Sequence, residues 1–200
     1  CRSLPAPPRL LFSSSVAVFG GKLPRVVQDD TLPTPQGSYG IQKFIGEQLV
    51  ADYSRKGFID GRSVRLPTIV VRPGKPNRAA SSFASSIVRE PAAGVATVCP
   101  VAPDAGLWIL SPDLAVAALD RALALPAATW GSRLALNLAG LTATVDDLLT
   151  ALARHAGSAA RAQVRFERDP AIERLVTSWP ARFNTARALA LGFQADASAD

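Results

Sequence analysis

The sequence predicts an α/β fold built on a parallel sheet. Two observations carry this expectation. Apolar strand-like runs alternate with helical runs at the spacing of βαβ units, and the later helices open on strong start signals. The clearest unit spans residues 9–71: a strand tail "RLLF", a helix over 39–56, and a strand "SVRLPTIVV" at 63–71. A helix between two strands fits a parallel crossover, which a hairpin cannot make.

Taken in order, "RLLF" at 9–12 ends a buried strand, and "SSSVAVFGG" leaves it as a loop. Residues 22–37 form a long connection, because Pro33, Pro35 and Gly37 forbid a helix. Ser38 is the expected N-cap of the next helix. Ile41, Phe44, Ile45 and Leu49 recur along that helix at i, i+3, i+4 and i+8 and predict one apolar stripe. Arg55 and Lys56 suit its last turn, and Gly57 its close. Pro67 belongs at the rim of the following strand or at a bulge. A helix over 79–89 and a short strand over 95–101 follow. Ser111-Pro112-Asp113 opens a helix to about Leu125: a cap, a first-turn proline and an acidic first turn. "LALNLAG" at 134–140 is a strand, and Thr144 with Asp147 forms a capping box for a helix to Ala156. A short strand at 164–166, a helix capped by Asp169-Pro170, and a last helix at 185–191 complete the chain.

Composition narrows the function classes. The chain has 200 residues and a formal net charge of +6. Its arginines are scattered rather than clustered with aromatics, so the charge reads as a solvated surface and predicts no nucleic-acid partner. No apolar run reaches the length of a membrane span, and "CRSLPAPPRLLF" is no signal peptide. Two cysteines and one histidine supply no zinc ligand set, so no metal is expected. The expected setting is reduced and cytoplasmic. The sequence holds no methionine, which reads as a piece of a longer polypeptide.

Tyr39 and Lys43 are i and i+4 on one helix and share a face. An ammonium beside a phenol favours the phenolate, so such a tyrosine can take a proton from a substrate hydroxyl. A serine hydroxyl near the same oxygen would hold it in line, and hydride could then pass to a nicotinamide. The Tyr-x-x-x-Lys spacing alone is a weak signal. Its context is stronger: a serine run at a strand end, a Pro/Gly-rich loop, and a tyrosine in the first turn of a helix.

Together, "FSSSVAVFGG", "YGIQK", "RLPTIVVRPG" and "FNTARALALGF" resemble the extended short-chain dehydrogenase/reductase family, the NAD-dependent epimerase/dehydratase group. The resemblance spans about residues 9–193. It implies the C-terminal part of a doubly wound Rossmann-type parallel sheet, plus a small α/β substrate-binding subdomain. Residues 1–73 would belong to the Rossmann part and 74–200 mainly to the subdomain, with some segments returning to the core. By motif position it implies Ser15 as the residue orienting the substrate hydroxyl, with Ser14 the near alternative. Tyr39 becomes the general acid/base, and Lys43 binds the nicotinamide ribose. Ser14, Pro67 and Thr68 would lie beside an NAD cofactor.

The segment "GEQLVADYSRKGFIDGRSVRLPTIVVRPGKPNRAASSFASSIVREP" resembles a branch that oxidises the C2 hydroxyl of a four-carbon sugar acid. Arg72, Asn77, Ser81 and Arg89, with Ser15, are then the candidate contacts of a small anionic substrate. Arginine suits bidentate binding of a carboxylate. A nucleotide-sugar epimerase or dehydratase, and a non-catalytic fragment, are the alternatives. The glycine-rich βαβ half that cradles a dinucleotide's pyrophosphate has no counterpart in the sequence. That half is expected to be missing, leaving this chain alone an incomplete catalyst. A homodimer is the expected assembly of a full-length form.

Overall fold

A computed structural model describes residues 4–74, 79–132 and 134–200. In chain order the elements are strand β1 (Arg9–Ser15), a single 3-10 turn (Val16–Val18), helix α1 (Ser38–Arg55), strands β2 (Asp60–Leu66) and β3 (Thr68–Ile69), helix α2 (Ser82–Ala92), strands β4 (Thr97–Cys99) and β5 (Gly106–Leu110), helices α3 (Pro112–Ala124) and α4 (Ala127–Trp130), strands β6 (Ala135–Asn137) and β7 (Leu141–Thr144), helices α5 (Val145–Ala156) and α6 (Ser158–Arg161), strand β8 (Val164–Phe166), and helices α7 (Pro170–Thr177) and α8 (Ala186–Ala190).

The fold is a Rossmann-like α/β arrangement with parallel sheets. The principal sheet has the order β1-β2-β6, all parallel. β2 is its centre: Gly61 to Arg65 are all buried, as a strand covered on both faces requires. Its alternation splits the layers. Val64 joins Leu136, Ala118, Ala122, Trp130 and Phe193 in one apolar cluster. Arg65 points instead into a polar contact with α1. Arg62 is fully buried, but its guanidinium lies 5.3 Å from the Trp130 ring centre and donates to Asp60 at 2.9 Å and to the Ala122 carbonyl. Burial pushes the Asp60 carboxyl up, but the bonds from Arg62 and Arg9 outweigh it and hold it below the ordinary value.

Pro67 separates β2 from β3 and passes the chain from the principal sheet to a second one, β3-β5-β7. β3 runs parallel to β5, and β7 runs antiparallel to it. A third pair, β4 with β8, is parallel. Around these smaller sheets, α2 and α5 bury a second apolar cluster that includes Phe83, Ile87, Leu148, Leu149 and Leu152. Strands β5 and β7 lie outside the sequence expectation. "GLWIL" is a five-residue run wedged between a turn and a helix cap, too short to show a period.

Three helix details differ from expectation. Gly37, not Ser38, precedes α1, and no side chain caps it. α2 begins at Ser82, three residues later than predicted. Of the apolar stripe of α1, only Phe44 packs against the core. Ile41, Ile45 and Leu49 are about half exposed, while Gly40, Glu47 and Val50 are buried. The reason is close packing. The inner face carries Gly40 and Gly46, where larger residues would collide with the Ala17 carbonyl and the Phe12 ring. The caps at Ser111, Thr144 and Asp169 form as expected, including the reciprocal Thr144–Asp147 box. No helix among the described residues is long and apolar enough to cross a membrane.

Candidate active site

β1 and β2 end together, because Ser15 pairs with Leu66 in the parallel register. A cavity of about 500 Å³ opens beyond those ends. This is where an open parallel sheet places ligands. Four elements converge there: the end of β1, the first turns of α1, the Pro67–Arg72 segment and the approach to α2.

The serine run has a structural logic. The backbone leaves β1 at Ser15 and turns at once into the 3-10 turn, whose residues are buried. The Ser15 hydroxyl caps that turn, accepting from the Ala17 N–H at 3.1 Å. This fixes the serine at the cavity wall while its O–H remains a donor. Ser14 also borders the cavity, but its side chain is buried and donates to Glu47 Oε1 at 2.5 Å. The pleat turns neighbouring serines to opposite sides. Ser15 is therefore the serine whose hydroxyl is on hand for a ligand.

Tyr39 and Lys43 occupy successive turns of α1 and both line the cavity. The Lys43 ammonium lies 5.6 Å from the Tyr39 ring centre and 5.1 Å from that of Phe12. It donates one bond to the Ser13 carbonyl at 2.7 Å. The strand end thus holds the ammonium beside the phenol. Pro67, Thr68, Arg72 and Ser81 complete the predicted set at the cavity. Asn77 lies outside the described residues. Arg89 is not brought to the cavity. Its guanidinium donates to the Arg72 carbonyl at 2.6 Å and pairs with Glu90 at 2.5 Å. It holds the backbone that carries Arg72, and the Arg72 N–H is fastened to Ser85 Oγ at 3.0 Å.

Among the lining residues that the sequence reading did not name, Leu175 and Trp179 come from the most distant part of the chain, both half-buried at the end of α7. The available signal was a tryptophan just past the helix, beyond its core-facing Val176. Glu47 was missed as well, although it stands four residues after Lys43 on the same face.

Among the described residues no glycine-rich strand–turn–helix cradles a pyrophosphate. Gly20 and Gly21 are no substitute, because a Cβ on Gly20 would meet Gln36 at 2.7 Å and one on Gly21 would meet it at 3.0 Å. Their space is taken by the chain itself.

A parallel α/β sheet with Ser, Tyr and Lys gathered at its carboxyl rim defines the class of short-chain dehydrogenases and their kin. The description of the NAD dependent epimerase/dehydratase family matches residues 1–104, and the chain belongs to that family. D-erythronate dehydrogenase from Cupriavidus necator is 59% identical over the whole chain, and the one from Haemophilus influenzae is 49% identical over 99% of it. The chain spans 62% and 63% of the length of these two relatives. The crystal structure of a nucleoside-diphosphate-sugar epimerase from Agrobacterium tumefaciens superposes with a TM-score of 0.90 at 45% identity. It is matched over 96% of this chain and 56% of its own. Family membership implies a nicotinamide dinucleotide cofactor.

Proposed function

We propose that this chain carries the catalytic site of an NAD-dependent dehydrogenase that oxidises the C2 hydroxyl of a small sugar acid, with D-erythronate as the substrate. One observation carries the reading: Ser15, Tyr39 and Lys43 line a single cavity that Arg72 also lines. The names of the two relatives support the choice of acid.

The chemistry follows from the side chains. The Ser15 hydroxyl hydrogen-bonds the substrate's C2 oxygen and aligns it. The Tyr39 oxygen takes that hydroxyl's proton, and the Lys43 ammonium stabilises the negative charge on the tyrosine. Lys43 has three donors, so with one held by Ser13 it can also bind the nicotinamide ribose. Pro67 and Thr68, with Ser14 at the strand end, line the cavity and would lie beside the nicotinamide. When bound, NAD accepts the C2 hydrogen as hydride, leaving a 2-oxo acid. Arg72 and Ser81 bind the carboxylate end, with Asn77 a further contact. Leu175 and Trp179 limit the room for anything larger.

The reading includes a division of labour near residue 73. The residues before it supply the catalytic groups, and most of those after it shape the substrate site. Pyrophosphate and adenosine would be held by a glycine-rich βαβ half. β1 has no partner on its outer edge among the described residues and is where a further strand of that half would pair. A cytoplasmic setting and a homodimer belong to the same reading.

The likeness to the nucleoside-diphosphate-sugar epimerase favours a second reading, a nucleotide-sugar epimerase or dehydratase with the same three residues. NADH formation from D-erythronate, measured beside direct product analysis of UDP-sugars, separates the two, because an epimerase or dehydratase returns its hydride and accumulates no NADH. Turnover of D-erythronate supports the first reading. Turnover of the nucleotide sugar alone rejects it.

A further inference from the structure

Beneath the cavity lies a polar cluster whose centre, Glu47 with Arg65, has no part in the proposed chemistry. Glu47 is 4% exposed and Arg65 is 5% exposed. They meet as a two-pronged pair: Arg65 Nε donates to Glu47 Oε1 at 2.9 Å, and its terminal nitrogen to Oε2 at 2.7 Å. Ser14 Oγ donates to the same Oε1 at 2.5 Å. The other terminal nitrogen of Arg65 reaches Asn137 Oδ1 at 3.3 Å. Ser14 is on β1, Arg65 on β2 and Asn137 on β6, so the carboxylate ties α1 to β1 and β2 directly and to β6 through Arg65.

Stability alone does not call for such a pair. A buried ion pair loses hydration that an apolar pair of similar volume never had, and replacing it is often neutral or stabilising. What the two-pronged geometry supplies is direction. Two parallel charge-assisted bonds fix both where a helix sits along its axis and how far it is turned about it. Tyr39, Lys43 and Glu47 stand at i, i+4 and i+8, three rungs of one face. Two of those rungs are stitched to adjacent residues of β1: Lys43 to the Ser13 carbonyl and Glu47 to the Ser14 hydroxyl.

We propose that Glu47, clamped by Arg65 and Ser14, is a positioning residue that sets the rotation of α1 and so aims Tyr39 and Lys43 at the end of β1. The proposal rests on the dehydrogenase reading for its catalytic consequence and on the geometry alone for its structural one. A turn of about 10° moves atoms at the helix's outer radius, about 5–6 Å, by about 1 Å. A misplacement of about 1 Å costs on the order of 100-fold in rate.

The test uses the double variant Glu47→Leu/Arg65→Met, which removes both charges together, and Arg65→Lys, which keeps the charge but loses the fork. The chain holds two tyrosines, Tyr39 and Tyr53, at opposite ends of α1. Labelled with 3-fluorotyrosine, they give two fluorine resonances. In the double variant the Tyr39 resonance should shift or broaden, and that of Tyr53 should move with it, because a turn of α1 also shifts Tyr53 against Phe58. The melting midpoint should hold or rise. In a form that turns over D-erythronate, kcat should fall about 10–100-fold with KM for the acid within about threefold. Arg65→Lys should fall between wild type and the double variant in both readouts.

An unmoved Tyr39 resonance with wild-type kcat overturns the proposal, as does a loss of rate explained wholly by a lower melting midpoint. If the double variant does not fold, a Tyr39 resonance unmoved in Arg65→Lys overturns it equally. A wild type inactive on any sugar acid rejects the dehydrogenase reading, while the fluorine resonances still decide the positioning role.

Discussion

Gly40 marks a very close approach of α1 to the chain that leaves β1. A Cβ built on it would lie 2.0 Å from the Ala17 carbonyl oxygen, 2.9 Å from the Ala17 carbonyl carbon and 3.0 Å from Pro35. The nearest obstacle is backbone of the 3-10 turn that Ser15 caps, so no side chain can swing away. In Gly40→Ala the gap falls at least about 1.4 Å short of ordinary van der Waals contact. Either α1 lifts off or the turn moves. Alanine gains about 1 kcal/mol over glycine in a helix interior, and overpacking costs about 1–3 kcal/mol. The net effect is a loss of up to about 2 kcal/mol, or a melting midpoint lower by up to about 8 °C in a chain of this size. Activity should suffer more than stability. Tyr39 precedes Gly40 directly, and a shift of about 1 Å between Tyr39 and Ser15 costs on the order of 100-fold in kcat. Urea denaturation and NADH formation read the two effects separately. A Gly40→Ala protein that is more stable and turns over at the wild-type rate would refute the close approach and the alignment argued from it.

Other changes should separate the remaining parts. Arg72→Met should raise KM for the sugar acid about 10–100-fold while leaving KM for NAD in place, since a charge-assisted bond contributes about 1.5–3 kcal/mol. An unchanged KM for the acid places the carboxylate elsewhere. The Asp147 carboxyl is held below its ordinary value, first by the Thr144 N–H and then by the Thr144 hydroxyl. Its contribution to stability is complete above the unfolded carboxylate value of about 4 and fades as pH falls through the lower folded one. Asp147→Asn should therefore melt below wild type at neutral pH, and the gap should close in acid; a gap that is constant with pH contradicts the cap. Cys99 is fully buried, and burial pushes its thiol up, so it stays protonated at neutral pH. In a Cys1→Ser background, a disulfide reagent should label it only as fast as the protein opens. Rapid labelling in the native state would show that β4 is not packed as described.

Local chemistry made much of the fold legible. Ser111-Pro112-Asp113 and Thr144 with Asp147 start helices through bonds within one turn, so neighbouring residues suffice to read them. The strand expected over 63–71 was visible, but the structure divides it at Pro67 into β2 and β3, which belong to different sheets. β5 and β7 were not visible, because their pairing is decided by partners more than 30 residues apart in the chain. The α1 stripe misled for a related reason. Hydrophobic period marks which face is apolar, whereas the buried face was chosen by Gly40 and Gly46, which let the backbone approach, and by the Glu47–Arg65 pair. In the site, the Tyr39–Lys43 spacing was a weak signal alone and gained its weight from the serine run at a strand end, the Pro/Gly-rich loop and the tyrosine's place in a helix's first turn. Leu175 and Trp179 reach the cavity from a distant helix, and Arg89 turns from it to hold the Arg72 backbone. Such placements depend on tertiary contacts that spacing along one helix does not encode.

The most direct test of the catalytic assignment is Tyr39→Phe beside wild type, in a form that turns over D-erythronate, with NADH formation as the readout. Tyr39 is 56% exposed, so losing its hydroxyl leaves the packing intact. The expected result is a fall in kcat of about 100- to 10,000-fold with an unchanged fold and intact NAD binding. A Tyr39→Phe enzyme that oxidises D-erythronate at the wild-type rate would remove the tyrosine from the chemistry and the site with it.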